Sequence, residues 1–245
     1  MSAPDTTRAK AAVEATAVSA QTLGDVLRGR ASSYLMFSRL FLKPLSEVDI
    51  EELAAMDFIG RSQSLEGTGL LAEGFNDMGR DLLKRNTATR QKLGTDYTMC
   101  FDGVATIKGE VAVPYASVFL SEKALLYQEP RTEVYKLFCA EGISLKDNVN
   151  LPEDHLSFEL EFLAVLSERA AVALEVDDMP EVRRNLELSR SFINEHILTW
   201  IGLLFERAEE LLTTRFYRGV LKATTGYLEL DLETISEIME ELGDE

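Results

Sequence analysis

The chain has 245 residues, 46% apolar and 27% charged, which suits a sizeable globular core. Forty-two acids against 25 bases give a formal charge of −17. That excludes nucleic acid and anionic lipid as natural partners, favours a basic one, and no run of eighteen apolar residues offers a membrane span.

Residues 1–22 are rich in Ala, Thr and Ser and lack a continuous apolar stretch. They read as a mobile tail rather than a secretion signal, so the protein is expected in the cytoplasm. Leu27, Tyr34, Phe37 and Phe41 line one face of a helix from Leu23 to Leu42, which Pro44 stops. Ser46, followed by Glu47 and Asp49, is placed to cap a second helix ending near Met56. Arg61–Gly69 is polar and reads as a loop, and Leu70–Lys92 as one or two helices. Leu93–Pro114 changes character. Asp102-Gly103 and Lys108-Gly109 are turn signals, and Val111-Ala112-Val113 is too short to found a sheet. A long ordered loop is expected there. Helical spacing returns over Pro130–Glu141 through Val134, Leu137 and Phe138, with Gly142 as its stop.

Ile143–Leu151 is polar and nearly patternless, a connector or hinge. Pro152 then opens the most apolar helix of the chain. Leu156, Leu160, Leu163, Ala170 and Leu174 form its stripe, and Phe158, Phe162, Val165 and Leu166 widen it. Such a helix belongs at the centre of a core. Further helices are predicted from Pro180, along Ile197–Leu211, over Phe216–Leu228 and over Asp231–Leu242. From Gly226 onward there are eight acids and no base. The pattern predicts an all-α bundle of about nine to eleven helices. Its two helical halves, 23–142 and 152–245, are joined by a hinge at 143–151, and the second half ends in the acidic helix.

No phosphate-loop glycine pattern follows a predicted strand, so nucleotide sites of that kind are excluded. Cys100 and Cys139 lie 39 residues apart without a CxxC and read as buried free thiols. His155 and Glu159 are four apart on one helix, the spacing of any helical pair, and neither HExxH nor ExxH occurs. His196 reads as a polar helix-start residue. Ser117 and Ser121 lie in a loop, with no GxSxG elbow to make either a nucleophile. No metal and no other cofactor is expected. The segment that stands out is Pro152–Phe162. It gathers Glu153, Asp154, Glu159, Glu161 and His155 at the mouth of the central helix. Proline followed by acids is ordinary helix-start chemistry. The position after a polar hinge adds a functional reading.

At these residues the chain resembles the TorD/DmsD/NarJ family of redox-enzyme maturation chaperones, nearest the TorD and DmsD side. Three blocks carry the resemblance: Arg30–Pro44, ending in Leu-Phe-Leu-Lys-Pro; Pro114-Tyr115-Ala-Ser117-Val with Tyr127-Gln-Glu-Pro130; and Pro152–Phe162 with its proline-x-aspartate-histidine. Phe192–Trp200 and Arg215–Tyr217 also look familial. Gln128 and Ala116 stand where the family often has glycine. The resemblance implies a non-enzymatic cytoplasmic chaperone. It would bind the twin-arginine signal peptide of a molybdenum-cofactor oxidoreductase of the DMSO/TMAO-reductase type. It would hold the catalytic subunit through cofactor loading and proofread it before export. It also implies exchange between a monomer and a domain-swapped dimer through the hinge. The implied peptide site comprises Tyr115, Ser117, Tyr127, Pro130, Pro152, Asp154, His155, Glu159 and Phe162. Asp154 and Glu159 would face the arginines, and Glu153 and Glu161 would point elsewhere. Three other readings compete. One is a NarJ-like assembly chaperone for a subunit that is not exported. Another is a small-molecule enzyme using Asp154, His155 and Glu159 as acid–base groups. The third is a scaffold using the acidic C-terminal helix.

Overall fold

The computed structural model describes residues 6–65, 69–146 and 149–243, with side chains from Gln21 onward. Among the described residues it is all-α, as expected. Helix α1 (Thr6–Leu42) carries Leu27, Tyr34, Phe37 and Phe41 on its buried face. Its backbone is helical from Thr6, and residues 1–5 of the expected tail lie outside the described residues. Ala is the strongest helix former, and 6–22 is Ala-rich. Helix α2 (Glu47–Ala54) starts at the cap foreseen at Ser46, which takes the form of a capping box. The Ser46 hydroxyl accepts the Asp49 N–H, and the Asp49 carboxylate accepts the Ser46 N–H at 2.9 Å.

Helix α3 (Phe58–Ser64) corrects the first part of the loop predicted over Arg61–Gly69, of which 66–68 lie outside the described residues. Phe58 and Ser62, four apart, bury one face, and the Asp57 carboxylate caps the Gly60 N–H. Helices α4 (Gly69–Leu83) and α5 (Thr89–Cys100) follow. The long loop therefore begins at Phe101 and not at Leu93. Leu93, Tyr97 and Cys100 sit at helical spacing on the buried face of α5, but Thr, Gly and Asp between them weaken the signal. Within the remaining loop the turn signals hold. Gly103, Lys108 and Gly109 all have positive φ, and Ile107 pairs with Glu110 across the second turn. Cys100 is buried, and burial pushes its thiol up to about 12. Cys139 is exposed, contrary to expectation.

The short helix α6 (Ala116–Leu120) and then α7 (Glu129–Ala140) come next. Gly142, at φ 66, closes α7. Its N–H bonds Cys139 O, and the Ile143 N–H reaches Phe138 O at 2.8 Å, the paired bonds of a Schellman ending. Helix α8 (Leu156–Glu175) is the central one, with almost its whole circumference buried. Helix α9 (Met179–Phe192) runs into a π-helical turn at Ile193–Ile197. His196 therefore lies at the end of α9 and not at a helix start, its ring stacked on Phe192. Helix α10 is Ile201–Leu211. Helix α11 (Arg215–Glu241) fuses the two helices predicted over Phe216–Leu228 and Asp231–Leu242. No Gly or Pro stands at Glu229-Leu230 to part them.

The buried side chains form a single cluster. The principal pairings are α4 with α11 and α1 with α8, so both ends of the chain build the same core. Where α4 crosses α11 the backbones touch. A Cβ on Gly219 would stand 2.7 Å from Gly74 O and 2.9 Å from Met78 N. Helix α1 is locked to α11 by a buried ion pair. Arg30 donates two bonds to Asp231, at 2.6 and 2.9 Å, and the Tyr34 hydroxyl adds a third at 2.5 Å.

Candidate peptide site at the head of the central helix

The chain passes twice under the head of α8. Pro114 and Tyr115 lie antiparallel to His155, with the Leu156 N–H on Pro114 O at 2.9 Å and the Ala116 N–H on Asp154 O at 3.1 Å. These bonds explain why Pro152 does not open the helix. Residues 152–154 turn beneath the α6 loop, and α8 starts at Leu156. His155 is the N-cap. Its Nδ1 accepts the Ser157 N–H at 3.1 Å, so the ring is a neutral acceptor on that side. Burial holds its pKa down at about 3. The Tyr115 ring meets the imidazole edge-on at 4.7 Å. The Tyr115 hydroxyl is raised to about 12, first by burial and then by Asp154.

Asp154 has 0% exposure. One carboxylate oxygen accepts the Ser117 N–H at 2.8 Å, which anchors the first turn of α6. The other has no protein partner. Burial raises its pKa, partly offset by Ser117. Glu159 is also at 0%, and neither of its oxygens has a protein hydrogen bond. Its pKa stands well above the carboxylate range because of burial, then repulsion from Asp154, with Trp200 the moderating neighbour. Phe162 lies deeper, stacked on Phe138 at 4.9 Å and against Phe192 at 4.7 Å.

The structure thus brings Tyr115, Ser117, Asp154 and His155 into one hydrogen-bonded knot, with Glu159 behind it and Pro152 buried at its edge. It does not put Asp154 and Glu159 in an open cleft. Of the segment's other acids, Glu161 is exposed, as expected, and Glu153, also expected to point away, is half-buried beside the groove. Periodicity aimed it wrongly because residues 152–154 are a turn and not helix. Glu153 takes a two-bond ion pair from Arg131, at 2.5 and 2.9 Å.

Above the knot the chain opens to solvent. Ser117 Oγ accepts the Gln128 N–H at 3.3 Å and so ties the returning strand of the α6–α7 loop to the knot. Between them, Leu125 is 56% exposed and Tyr127 61%, with Leu120 and Leu126 also outward. Ala124 and Tyr127 hold positive φ, an unusual backbone for residues with a Cβ. Pro130 sits in the first turn of α7. Beside this loop a groove of about 450 Å³ runs between α7 and the 143–151 connector. Its walls include Tyr127, Tyr135, Phe138 and Leu151, with Arg131, Lys146 and Glu153 as the charged side chains. The connector is not patternless: Ile143, Leu145, Val149 and Leu151 pack against the core. Among the described residues no group of three His, Cys, Asp or Glu could hold a metal ion. No helix there is long and apolar enough to cross a membrane.

A family model described as "Nitrate reductase delta subunit" matches residues 68–206, more than half of the chain. The chain belongs to the TorD/DmsD/NarJ family. The chaperone protein TorD of Vibrio cholerae serotype O1 (strain ATCC 39315 / El Tor Inaba N16961) is 29% identical over 219 residues, covering 86% of this chain and 94% of that protein. The TorD chaperone of Vibrio parahaemolyticus serotype O3:K6 is 28% identical over 208 residues, covering 82% and 92%. A crystal structure of a putative redox enzyme maturation protein from Archaeoglobus fulgidus aligns over 84% of this chain and 93% of its own. Its TM-score is 0.40 and its identity 18%. Membership makes this protein a redox-enzyme maturation chaperone and not a catalyst. Its partner class is the redox-enzyme subunit. His155 is the N-cap of α8, and Asp154 and Glu159 are buried.

Proposed function

We propose that this chaperone binds the twin-arginine signal peptide of a molybdenum-cofactor oxidoreductase of the DMSO/TMAO-reductase type. It holds the catalytic subunit in the cytoplasm during cofactor loading and releases it for export afterwards. The observation that carries this reading is the outward display of Leu120, Leu125, Leu126 and Tyr127 beside a groove edged by Tyr135 and Glu153. Apolar side chains gathered at one exposed loop mark a binding surface. A signal peptide offers an apolar stretch for the leucines and tyrosines and two arginines for the acidic surface. The chain's charge of −17 supplies long-range attraction for such a basic segment. The knot beneath contributes rigidity: Asp154 fixes α6 and His155 fixes the head of α8, so the loop is presented on a firm base.

Titration calorimetry with a synthetic twin-arginine peptide tests the reading. Binding that weakens with salt, and about tenfold when Leu126 and Tyr127 are both changed to Ala, supports it. Absence of heat with any twin-arginine peptide, alongside capture of a subunit without such a signal, would favour the non-exported client suggested by the nitrate reductase delta subunit model.

A further inference from the structure

Two buried or half-buried arginine–carboxylate pairs in this molecule differ in one respect. Arg30 and Asp231 are sealed, with side-chain exposures of 4% and 1%. Arg131 and Glu153 reach solvent along one edge, at 29% and 15%. The second pair also stands in the groove wall. Arg131 projects from the first turn of α7, and Glu153 lies across the groove at the end of the connector. The Arg131 Nε and Nη2 atoms meet the two Glu153 oxygens in parallel, and the guanidinium lies 4.8 Å from the centre of the Tyr135 ring. A bidentate carboxylate beside an aromatic face is the geometry that selects a planar guanidinium over an ammonium.

Resting on the peptide-binding reading above, we propose that Glu153 and Tyr135 form the seat for a client arginine. The chain's own Arg131 fills that seat when no peptide is bound. Glu153 is free to change partners because the adjoining architecture does not depend on it. Asp154 holds α6, and His155 starts α8. Replacing one guanidinium by another leaves the half-buried carboxylate paired before and after, so the exchange avoids the heavy cost of an unpaired charge. Arg131 needs only to swing its side chain into water. A segment without arginine cannot compensate for the lost pair, so the internal occupant screens clients. It also keeps the largely apolar groove, whose remaining charged wall residue is Lys146, from capturing unrelated chains.

Calorimetry with a twin-arginine peptide and its twin-lysine counterpart against wild type, Arg131→Gln and Glu153→Gln tests the exchange. Arg131→Gln empties the seat and is expected to tighten the arginine peptide about tenfold, with a smaller gain for the lysine peptide. Glu153→Gln is expected to weaken the arginine peptide about tenfold and to remove most of the arginine-over-lysine preference. Arg131→Lys, which keeps the charge and loses the fork, should fall between wild type and Arg131→Gln. Melting curves establish that each variant is folded. If wild type binds the peptide while Arg131→Gln and Arg131→Lys bind it no better, the seat is elsewhere and the peptide-binding reading survives. If folded wild type and variants all fail to bind, the peptide-binding reading itself has failed.

Discussion

The α1–α4–α11 side of the molecule and the α6–α7–connector side solve opposite problems. On the first, backbones touch at glycines, and the buried Asp231 carboxylate has three donors. On the second, leucines and a tyrosine face water, two residues with side chains hold positive φ, and buried carboxylate oxygens lack protein partners. The first side spends its sequence on one low-energy arrangement. The second keeps apolar surface and exchangeable polar groups available, as a surface that must recognise another chain requires. Substitutions should therefore separate cleanly. Those on the first side change stability, and those on the second change binding.

The largest stability effect is expected at Asp231. Asp231→Ala leaves Arg30 buried at the α1–α11 contact without its carboxylate, at a cost of about 3–5 kcal/mol in denaturant unfolding. A loss below about 1 kcal/mol would show that water reaches the pair. Next comes Gly219→Ala. The new methyl meets the α4 backbone, which cannot yield like a flexible side chain, and about 2–3 kcal/mol should be lost. The loss should exceed that at Gly202, where a Cβ meets nothing within 4 Å.

A smaller effect, dependent on pH, belongs to the knot. His155 is held neutral in the fold, with its pKa near 3 against an ordinary value of 6.5. Its contribution is complete above pH 6.5 and falls as the pH drops from there toward 3. The loss amounts to about 2 kcal/mol by pH 5. Asn is also a good N-cap, so His155→Asn should keep the helix start and lose this acid sensitivity. Glu159 acts with the opposite sign. Its raised pKa makes its contribution complete below the ordinary carboxylate range and lost as pH rises through its folded value. Comparing unfolding curves of wild type and His155→Asn from pH 7 to 5 isolates the histidine. Parallel curves would mean that the imidazole titrates in the fold as it does in the unfolded chain. The smallest stability effect, under about 0.5 kcal/mol, is expected for Leu125→Ala and Tyr127→Ala on the exposed loop.

How much was legible in the sequence divides along the same line. Helices with long apolar stripes, α1 and α8, were plain, as were the Ser46 cap and the Gly142 stop. The short α3 and weakly patterned α5 were missed because one buried turn carries too few apolar residues to show a period. Gly74 and Gly219 gave no signal of their own, since a helical glycine declares its purpose only when the crossing helix is seen. At the site, the residues Tyr115, Ser117, Asp154 and His155 were named from resemblance, and they do meet. Their exposure was not legible. Reading Pro152 as the first helical residue put Asp154 on an outer face and Glu153 elsewhere. The antiparallel pairing of 114–116 with 154–156, invisible in one sequence, rotates those roles. Arg131 carries no signal in the sequence, because its partner lies 22 residues away across a turn.

Hydrogen–deuterium exchange of the protein with and without a twin-arginine peptide tests the division of the molecule most directly. The account predicts new protection in the α6–α7 loop around Leu125–Tyr127, the first turns of α7 and the connector near Leu151–Glu153. It predicts no change along the α4–α11 crossing, where the backbones already touch. Peptide-induced protection centred on α1, α2 or the acidic end of α11, with the α6–α7 loop unchanged, would contradict it.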